Sequence, residues 1–164
     1  MPAVPQPSNI HIRRATREDI PTIVAIVNRA FQVESFFLMH DRTNVDQVSE
    51  MFDKGEYLLA ATSDHQIAGC VYFEKREDRA YFGMLSVEPD RKGSGLGRFL
   101  IETVENHARE QGCIAMDITV VNLRTELPPY YRRFGYEISG ELPPPAAMRS
   151  RIPCHLIKMS KPLA

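Results

Sequence analysis

The run Leu85-Ser86-Val87-Glu88-Pro89-Asp90-Arg91-Lys92-Gly93-Ser94-Gly95-Leu96-Gly97-Arg98 restricts the fold more than any other stretch of this chain. An apolar strand stops, a basic turn follows, glycines fall at alternate positions 93, 95 and 97, and an amphipathic helix begins. A glycine has no side chain to cover its amide, so an anion can touch the main chain there. The helix N-terminus behind the loop adds partial positive charge, and Lys92 and Arg98 add whole charges. Strand, loop and helix together describe a cradle for a pyrophosphate.

The rest of the composition says whose pyrophosphate this is not. The chain has 164 residues, 43% apolar and 25% charged, with a net charge of −1. That balance is ordinary for one globular domain and provides no basic field for nucleic acid or a membrane surface. Phosphate binding is therefore local, which suits a small cofactor. The run Gly, four residues, Gly-Lys-Ser/Thr of a Walker loop is absent from the sequence. No apolar run approaches the ~20 residues of a membrane span. Residues 1–8 contain prolines and no basic-then-apolar signal pattern, so they are expected to be a disordered tail on a cytoplasmic protein. The cysteines, Cys70, Cys113 and Cys154, have no metal-like spacing and are expected to be reduced, packed thiols. No metal site is expected.

Periodicity places the elements. Asn9–Ala15 alternates as a short strand, and Thr16 with Asp19 forms a capping pair before a helix striped by Ile20, Ile23, Val24, Val27 and Phe31. Residues 31–44 are irregular, and Val45–Lys54 is a second helix closed by Gly55. Strands at Tyr57–Thr62 and Gln66–Phe73 form a hairpin. The charged stretch Glu74–Arg79 is expected to turn into a fourth strand, Ala80–Val87. A helix from Gly95 to about Gln111 packs through Leu96, Leu100, Val104 and Ala108 and ends at Gly112. Then come a strand at Cys113–Val121, a turn and helix over Asn122–Phe134, and strands at Tyr136–Gly140 and Cys154–Met159 around a proline-rich loop, Pro143–Pro153. Pro128 and Pro129 fit the last helix if Thr125 caps it, because early helical N–H groups have no partner. The order is β-α-α-β-β-β-α-β-α-β-β, whereas a dinucleotide-binding fold would alternate from the start.

This order, with three sets of residues, resembles the GNAT N-acetyltransferase superfamily. The first set is Lys92-Gly93-Ser94-Gly95-Leu96-Gly97, where the family has Arg or Gln, two residues, Gly, one residue, then Gly or Ala. Lys92 departs from that pattern, a change of little weight if the loop works through its amides. The second is the strand exit Leu85-Ser86-Val87-Glu88-Pro89. The third is Asn122 followed by a helix with Tyr131 four residues before Gly135-Tyr136. The resemblance spans about Ala80 to Tyr136 by motif, and reaches back to Ile10 by element order.

The resemblance implies an α/β (α+β) fold: a mixed, mostly antiparallel sheet of about seven strands flanked by helices, with a βαβ cofactor core, forming one domain over residues 9–164. It implies acetyl-coenzyme A as cofactor. Lys92, Gly93, Ser94, Gly95, Leu96, Gly97 and Arg98 would hold the pyrophosphate, Leu85, Ser86 and Val87 the pantetheine arm, and Asn122 would also touch the cofactor. The arm would lie where the strand at Leu85–Val87 parts from its parallel neighbour, bonded by backbone groups of Leu85 and Val87. Tyr131 is the expected general acid for the departing thiolate. The implied reaction is direct attack by a primary amine of a small molecule or peptide, with no cysteine placed to carry an acetyl group.

The base is open. Some family members have a glutamate six residues before the position of Val87, and Tyr81 stands there. The candidates are Glu34, His40, His155 or a water held by backbone carbonyls; Glu34 is expected to be solvated, and His155 structural. Acceptor choice falls to residues 31–44, an expected apolar wall, and to Pro143–Pro153, where Arg149 and Arg151 would meet a carboxylate unless solvated. A homodimer through the C-terminal strands follows by analogy alone. The competing reading is a catalytically silent acetyl-coenzyme A sensor or partner module, supported by the unfilled base position.

Overall fold

Ile10 and Ile12 alternate with polar residues along β1 (Ile10–Arg14), which opens one face of a sheet. In the turn that follows, Thr16 N–H donates to Asp19 Oδ2 at 2.8 Å, closing the capping pair. Helix α1 (Ile20–Ala30) then buries Ile20, Ile23, Ile26 and Val27, with Pro21 in the first turn where its missing N–H costs nothing. Asn44 caps α2 (Val45–Lys54) by accepting from Gln47 N–H at 2.8 Å. The remaining elements are β2 (Glu56–Thr62), β3 (Ile67–Arg76), β4 (Arg79–Val87), α3 (Leu96–Glu110), β5 (Ala115–Val121), α4 (Leu127–Arg132), β6 (Glu137–Leu142) and β7 (Leu156–Pro162). The structure, a computed structural model, describes residue 7 and residues 9–164; the expected tail, Pro7 apart, lies outside the described residues.

The strands form one seven-stranded sheet in the order β1-β2-β3-β4-β5-β7-β6, antiparallel except between β4 and β5. On one face α1 and α2 cover Tyr57, Leu59, Cys70 and Tyr72; on the other α3 packs Leu96, Leu100, Ile101 and Val104 against Val71, Phe82 and Met116. Each such side chain contributes ~1.5–3 kcal/mol by leaving water. All three cysteines are free, with Cys70 and Cys113 buried and Cys154 half-buried. Burial pushes the Cys70 thiol up to about 12, so it stays a thiol.

Two features of β4 position the site. Tyr72 pairs with Gly83 but Cys70 pairs with Ser86, so β4 carries one extra residue there, and Met84 takes a φ of 53°. The bulge reverses which residues face α3: Ala80 and Phe82 before it, Leu85 and Val87 after it. Second, β4 pairs with β5 only from Arg79↔Ala115 to Tyr81↔Asp117. Beyond Tyr81 the two parallel strands part.

Some boundaries differ from the sequence expectation. The stretch Glu74–Arg79 is mostly strand, because Glu74 is buried at 8% exposure between the Tyr72 hydroxyl, 3.1 Å away, and Arg76. Only Glu77 and Asp78 turn, with Glu77 in the left-handed region at φ 59°. Helix α4 is capped at Glu126 rather than Thr125, which puts Leu127, Pro128 and Pro129 in the first three positions, where N–H groups lack helical partners.

Candidate functional site

A cavity of about 850 Å³ opens where β4 and β5 part. Its lining comes from the loop before α3 (Arg91, Lys92, Gly93, Gly95), the first turn of α3 (Leu96, Gly97, Arg98), and β4 (Leu85, Val87). The β5–α4 connection, α4 and the residues just after it (Arg124, Glu126, Leu127, Tyr130, Tyr131, Arg133, Phe134) and the end of α1 with the turn after it (Ala30, Val33) complete it.

The glycines of the loop differ in what they do. Gly93 and Gly95 have φ of 80° and 85°, and nothing lies within 4 Å of where a Cβ would sit. They are needed for backbone conformation, not for space. Gly97 is helical, and a Cβ there would come within 3.3 Å of the Tyr130 hydroxyl. Among the described residues the N–H groups of Gly93, Gly95, Leu96, Gly97 and Arg98 have no hydrogen-bond acceptor, while Phe99 N–H already bonds Gly95 C=O at 3.0 Å. These amides, at the N-terminus of a 15-residue helix, are free to receive an anion. Lys92 makes no ion pair among the described residues, and Arg98 reaches only Glu102, at 3.3 Å. Arg29 of α1 clamps Glu88 through two hydrogen bonds and so holds the strand exit.

Just past the end of β4, Glu88 N–H donates to Ala68 C=O at 2.9 Å, so Glu88 faces β3. By ladder alternation Ser86 turns its backbone polar groups to β3 as well. Leu85 and Val87 therefore point theirs to the side that β5 has left. An extended ligand carrying amides can pair with them there.

Three of the expected cofactor residues lie outside the lining of this cavity. Ser86 does not line the cavity: its backbone faces β3, and its hydroxyl donates to Met84 C=O at 3.0 Å on the opposite face of the sheet. Ser94 is not in the lining either, and its N–H is used by Arg91 C=O at 3.2 Å in the turn. Asn122 also lies outside it. Its N–H donates to His155 C=O at 3.0 Å and its Oδ1 accepts from His155 N–H at 2.8 Å, which pins the end of β5 to the start of β7.

Tyr131 is buried at 8% exposure, lines the cavity, and is held edge-on by the rings of Tyr130 and Tyr136. Its hydroxyl has no hydrogen-bond partner among the described residues, and burial pushes the phenol above its ordinary value. Free phenol titrates near ~10 and a thiol near ~8.5, so giving a proton to a thiolate already runs uphill, and burial steepens it. Tyr131 thus suits donation of a hydrogen bond to developing negative charge, with any proton transfer coupled to the fate of the amine's proton.

The candidate bases resolve differently. Glu34 is not solvated: it is 4% exposed, its carboxylate bonded to Arg124 at 3.0 Å, with Arg42 at 4.0 Å. This pairing across 90 residues leaves no local trace in the sequence. His40 accepts Arg149 N–H at Nε2, 3.1 Å, which places its proton on Nδ1, facing Asp41 C=O at 2.8 Å. Both ring nitrogens are thus engaged. His155 lies 3.7 Å from Glu141 at the sheet end. Tyr81 lies beneath the Arg76 guanidinium, 4.3 Å from the ring centroid.

A second cavity, of about 770 Å³, is lined by residues 38–44, 145 and 147–149, which belong to the two segments expected to select the acceptor, and by Asp46, Gln47 and Glu50 of α2. They are zipped together: Met39 N–H donates to Arg149 C=O at 2.9 Å and Arg151 N–H to Phe37 C=O at 2.7 Å. Arg151 Nη1 donates to Ser35 C=O at 2.8 Å, and Arg151 is not among the residues lining this cavity. The expected apolar wall divides, with Phe37 and Leu38 buried and Phe36 and Met39 exposed.

Comparison with known proteins agrees with this arrangement. A family model described as Acetyltransferase (GNAT) domain matches residues 24–143. Mycothiol acetyltransferase of Saccharopolyspora erythraea is 28% identical over 134 residues, covering 79% of this chain and 44% of that protein. The mycothiol acetyltransferase of Propionibacterium freudenreichii is covered over 48% of its length, so the chain spans about half of these relatives. An L-methionine sulfoximine/L-methionine sulfone acetyltransferase of Pseudomonas aeruginosa is 29% identical over 144 residues, covering 80% of this chain and 83% of that one. Among solved structures, YncA from Salmonella typhimurium with its cofactor acetyl-CoA has a TM-score of 0.71 at 20% identity, covering 96% of this chain and 95% of that one. Ard1 from Thermoplasma volcanium has a TM-score of 0.76 at 16% identity, covering 95% and 99%. The loop amides, the parted strands and the family match converge: the chain belongs to the acetyltransferase (GNAT) domain family.

Proposed function

We propose that residues 9–164 act as a single acetyl-coenzyme A-dependent N-acetyltransferase domain that moves an acetyl group to a primary amine by direct attack. The observation that carries this reading is the continuity of one cavity. Unpaired amides of Gly93, Gly95, Leu96, Gly97 and Arg98 line it together with Leu85 and Val87 of the parted strand and with Tyr131. The amides, with Lys92, would hold the pyrophosphate, and the free backbone of Leu85 and Val87 would pair with the pantetheine arm. The bound cofactor supplies an activated acyl group as a thioester. Tyr131 would donate a hydrogen bond where negative charge collects on sulfur. The amine has to arrive neutral; Glu34 and His40 are both committed and His155 lies outside the cavity, so its proton leaves through water.

The acceptor we infer is a small zwitterionic amine of amino-acid type. The second cavity supports this, because carboxylates of Asp41, Asp46 and Glu50 share it with Arg149, whose guanidinium has no partner among the described residues. The relative acting on methionine sulfoximine and methionine sulfone points the same way. A peptide amine is the alternative acceptor. A homodimer belongs to the same reading: β6 is a sheet edge with exposed Ile138 and Leu142, and sedimentation velocity checks it.

Calorimetric titration with acetyl-coenzyme A, with ATP and NAD as controls, followed by thiol release across a panel of amino acids and peptides, tests the proposal. Micromolar binding of acetyl-coenzyme A alone, with amine-dependent thiol release, supports it. Binding without release over the whole panel favours the silent module, a reading helped by Tyr81 standing where some family members place a glutamate.

A further inference from the structure

Arg124 is the one cation of the cavity wall that is both largely buried and held by a buried carboxylate. Its side chain is 14% exposed and that of Glu34 is 5% exposed, and its Nη1 donates to Glu34 Oε2 at 3.0 Å. Its Nε faces Glu126 Oε2 at 3.3 Å. Guanidinium presents five N–H donors in a fixed plane. Nη2 has no partner among the described residues, and the side chain lines the same cavity as Tyr131. Arg42, over the Phe31 ring at 5.1 Å, approaches the other Glu34 oxygen at 4.0 Å and lines the second cavity. Glu34 therefore ties together one arginine from the lining of each cavity and fixes the arginine facing the first.

We propose that Arg124, oriented by Glu34, supplies the positive charge that stabilises the leaving thiolate beside Tyr131. The idea rests on the acetyltransferase reading above. In that reaction the amine nitrogen forms a C–N bond to the acetyl carbon, and the C–S bond breaks with its electron pair on sulfur. The amine's proton is lost to water, and sulfur is reprotonated from solvent or through the Tyr131 hydroxyl. The weak point is the thiolate, because Tyr131 is a poor acid in its buried setting. A nearby guanidinium removes the difficulty by lowering the energy of the anion itself. Arg124 is the charge-stabilising group, and Glu34 is a positioning residue.

The test is the acidity of coenzyme A's own thiol when bound, read from thiolate ultraviolet absorbance across a pH series. With the wild-type protein the thiol should ionise about one pH unit or more below free coenzyme A. In the double variant Glu34→Gln/Arg124→Gln, which replaces the ion pair by two amides and leaves no orphaned buried charge, the shift should vanish. Its kcat should fall ~10–100-fold with the acetyl-coenzyme A KM within ~3-fold, and Arg124→Lys should restore part of the shift. Wild-type protein that binds coenzyme A without shifting its thiol overturns the inference alone, whether or not the variant folds. A shift that survives in the double variant also overturns it and leaves Arg124 as a tie between two walls. Wild-type protein that binds no coenzyme A sinks the functional reading, and this inference with it.

Discussion

At the scale of single residues, the loop makes two separable demands on position 95. Gly95 needs a left-handed backbone, at φ 85°, and it leaves open space above its amide. Gly95→Ala meets no atom but strains the backbone by ~1 kcal/mol, so it should bind acetyl-coenzyme A with modestly reduced affinity. Gly95→Glu carries the same strain and also places a carboxylate against the pyrophosphate, so calorimetry should find no binding. Equal affinity of the two variants would remove the loop from the binding site. Tyr131→Phe keeps the ring among Phe82, Tyr130 and Tyr136 and deletes only the hydroxyl. Steady-state kinetics should show kcat down ~10–100-fold with acetyl-coenzyme A affinity within ~3-fold; an unchanged kcat would take Tyr131 out of the chemistry.

At the scale of elements, the parting of β4 and β5 begins where an ion pair ends. Arg79 of β4 grips Asp117 of β5 through bonds of 2.8 and 2.6 Å, and Ser160 of β7 donates to Asp117 at 2.5 Å. Tyr81↔Asp117 is the last paired position, so the clamp sits at the fork. The Arg79 hydrogen bonds hold the Asp117 carboxyl below the usual carboxylate range. Its contribution is therefore complete above the unfolded value of ~3.9 and is lost as pH falls through the lower folded value. Asp117→Asn should lower stability at neutral pH by ~1–2 kcal/mol, a modest figure because Arg79 is partly exposed. Denaturant melts from neutral pH down to ~2 should show the gap between the two proteins closing in acid. A gap that is constant across that range would mean the carboxylate charge does not hold the fork.

How much of this was legible beforehand differs by residue. The helix Val45–Lys54 and its Gly55 stop, the capping pair Thr16–Asp19 and the glycine loop are local patterns, and local sequence predicts them well. The inward turn of Ser86 is not local. It follows from one extra residue at Met84, which reverses the strand's phase without changing its composition. The burial of Glu34 depends on Arg124 and Arg42, which only the tertiary fold brings together. A charged residue in an irregular segment is usually solvated, so the buried carboxylate had to be seen in three dimensions.

At the scale of the whole molecule, the cavity joins elements that pack on opposite faces of the sheet. Its walls come from α1 and the turn after it, β4, α3 and α4; α1 and α3 pack on β3 and β4, and α4 packs on β6. A ligand filling it binds the folded state alone, because the unfolded chain has neither the ordered amides nor the parted strands. At a concentration 100 times its Kd such a ligand stabilises by ~2.7 kcal/mol. For a chain of this size that corresponds to a rise in Tm of ~5–11 °C. Acetyl-coenzyme A and coenzyme A should both produce it, since the amides and the parted edge contact what the two share. ATP and NAD should produce much less, because neither carries an extended amide arm to pair with Leu85 and Val87. Differential scanning calorimetry with each compound measures this directly. Equal shifts with ATP and acetyl-coenzyme A would mean that the anion site operates without the strand edge, and that the parting of β4 and β5 serves something other than the cofactor arm.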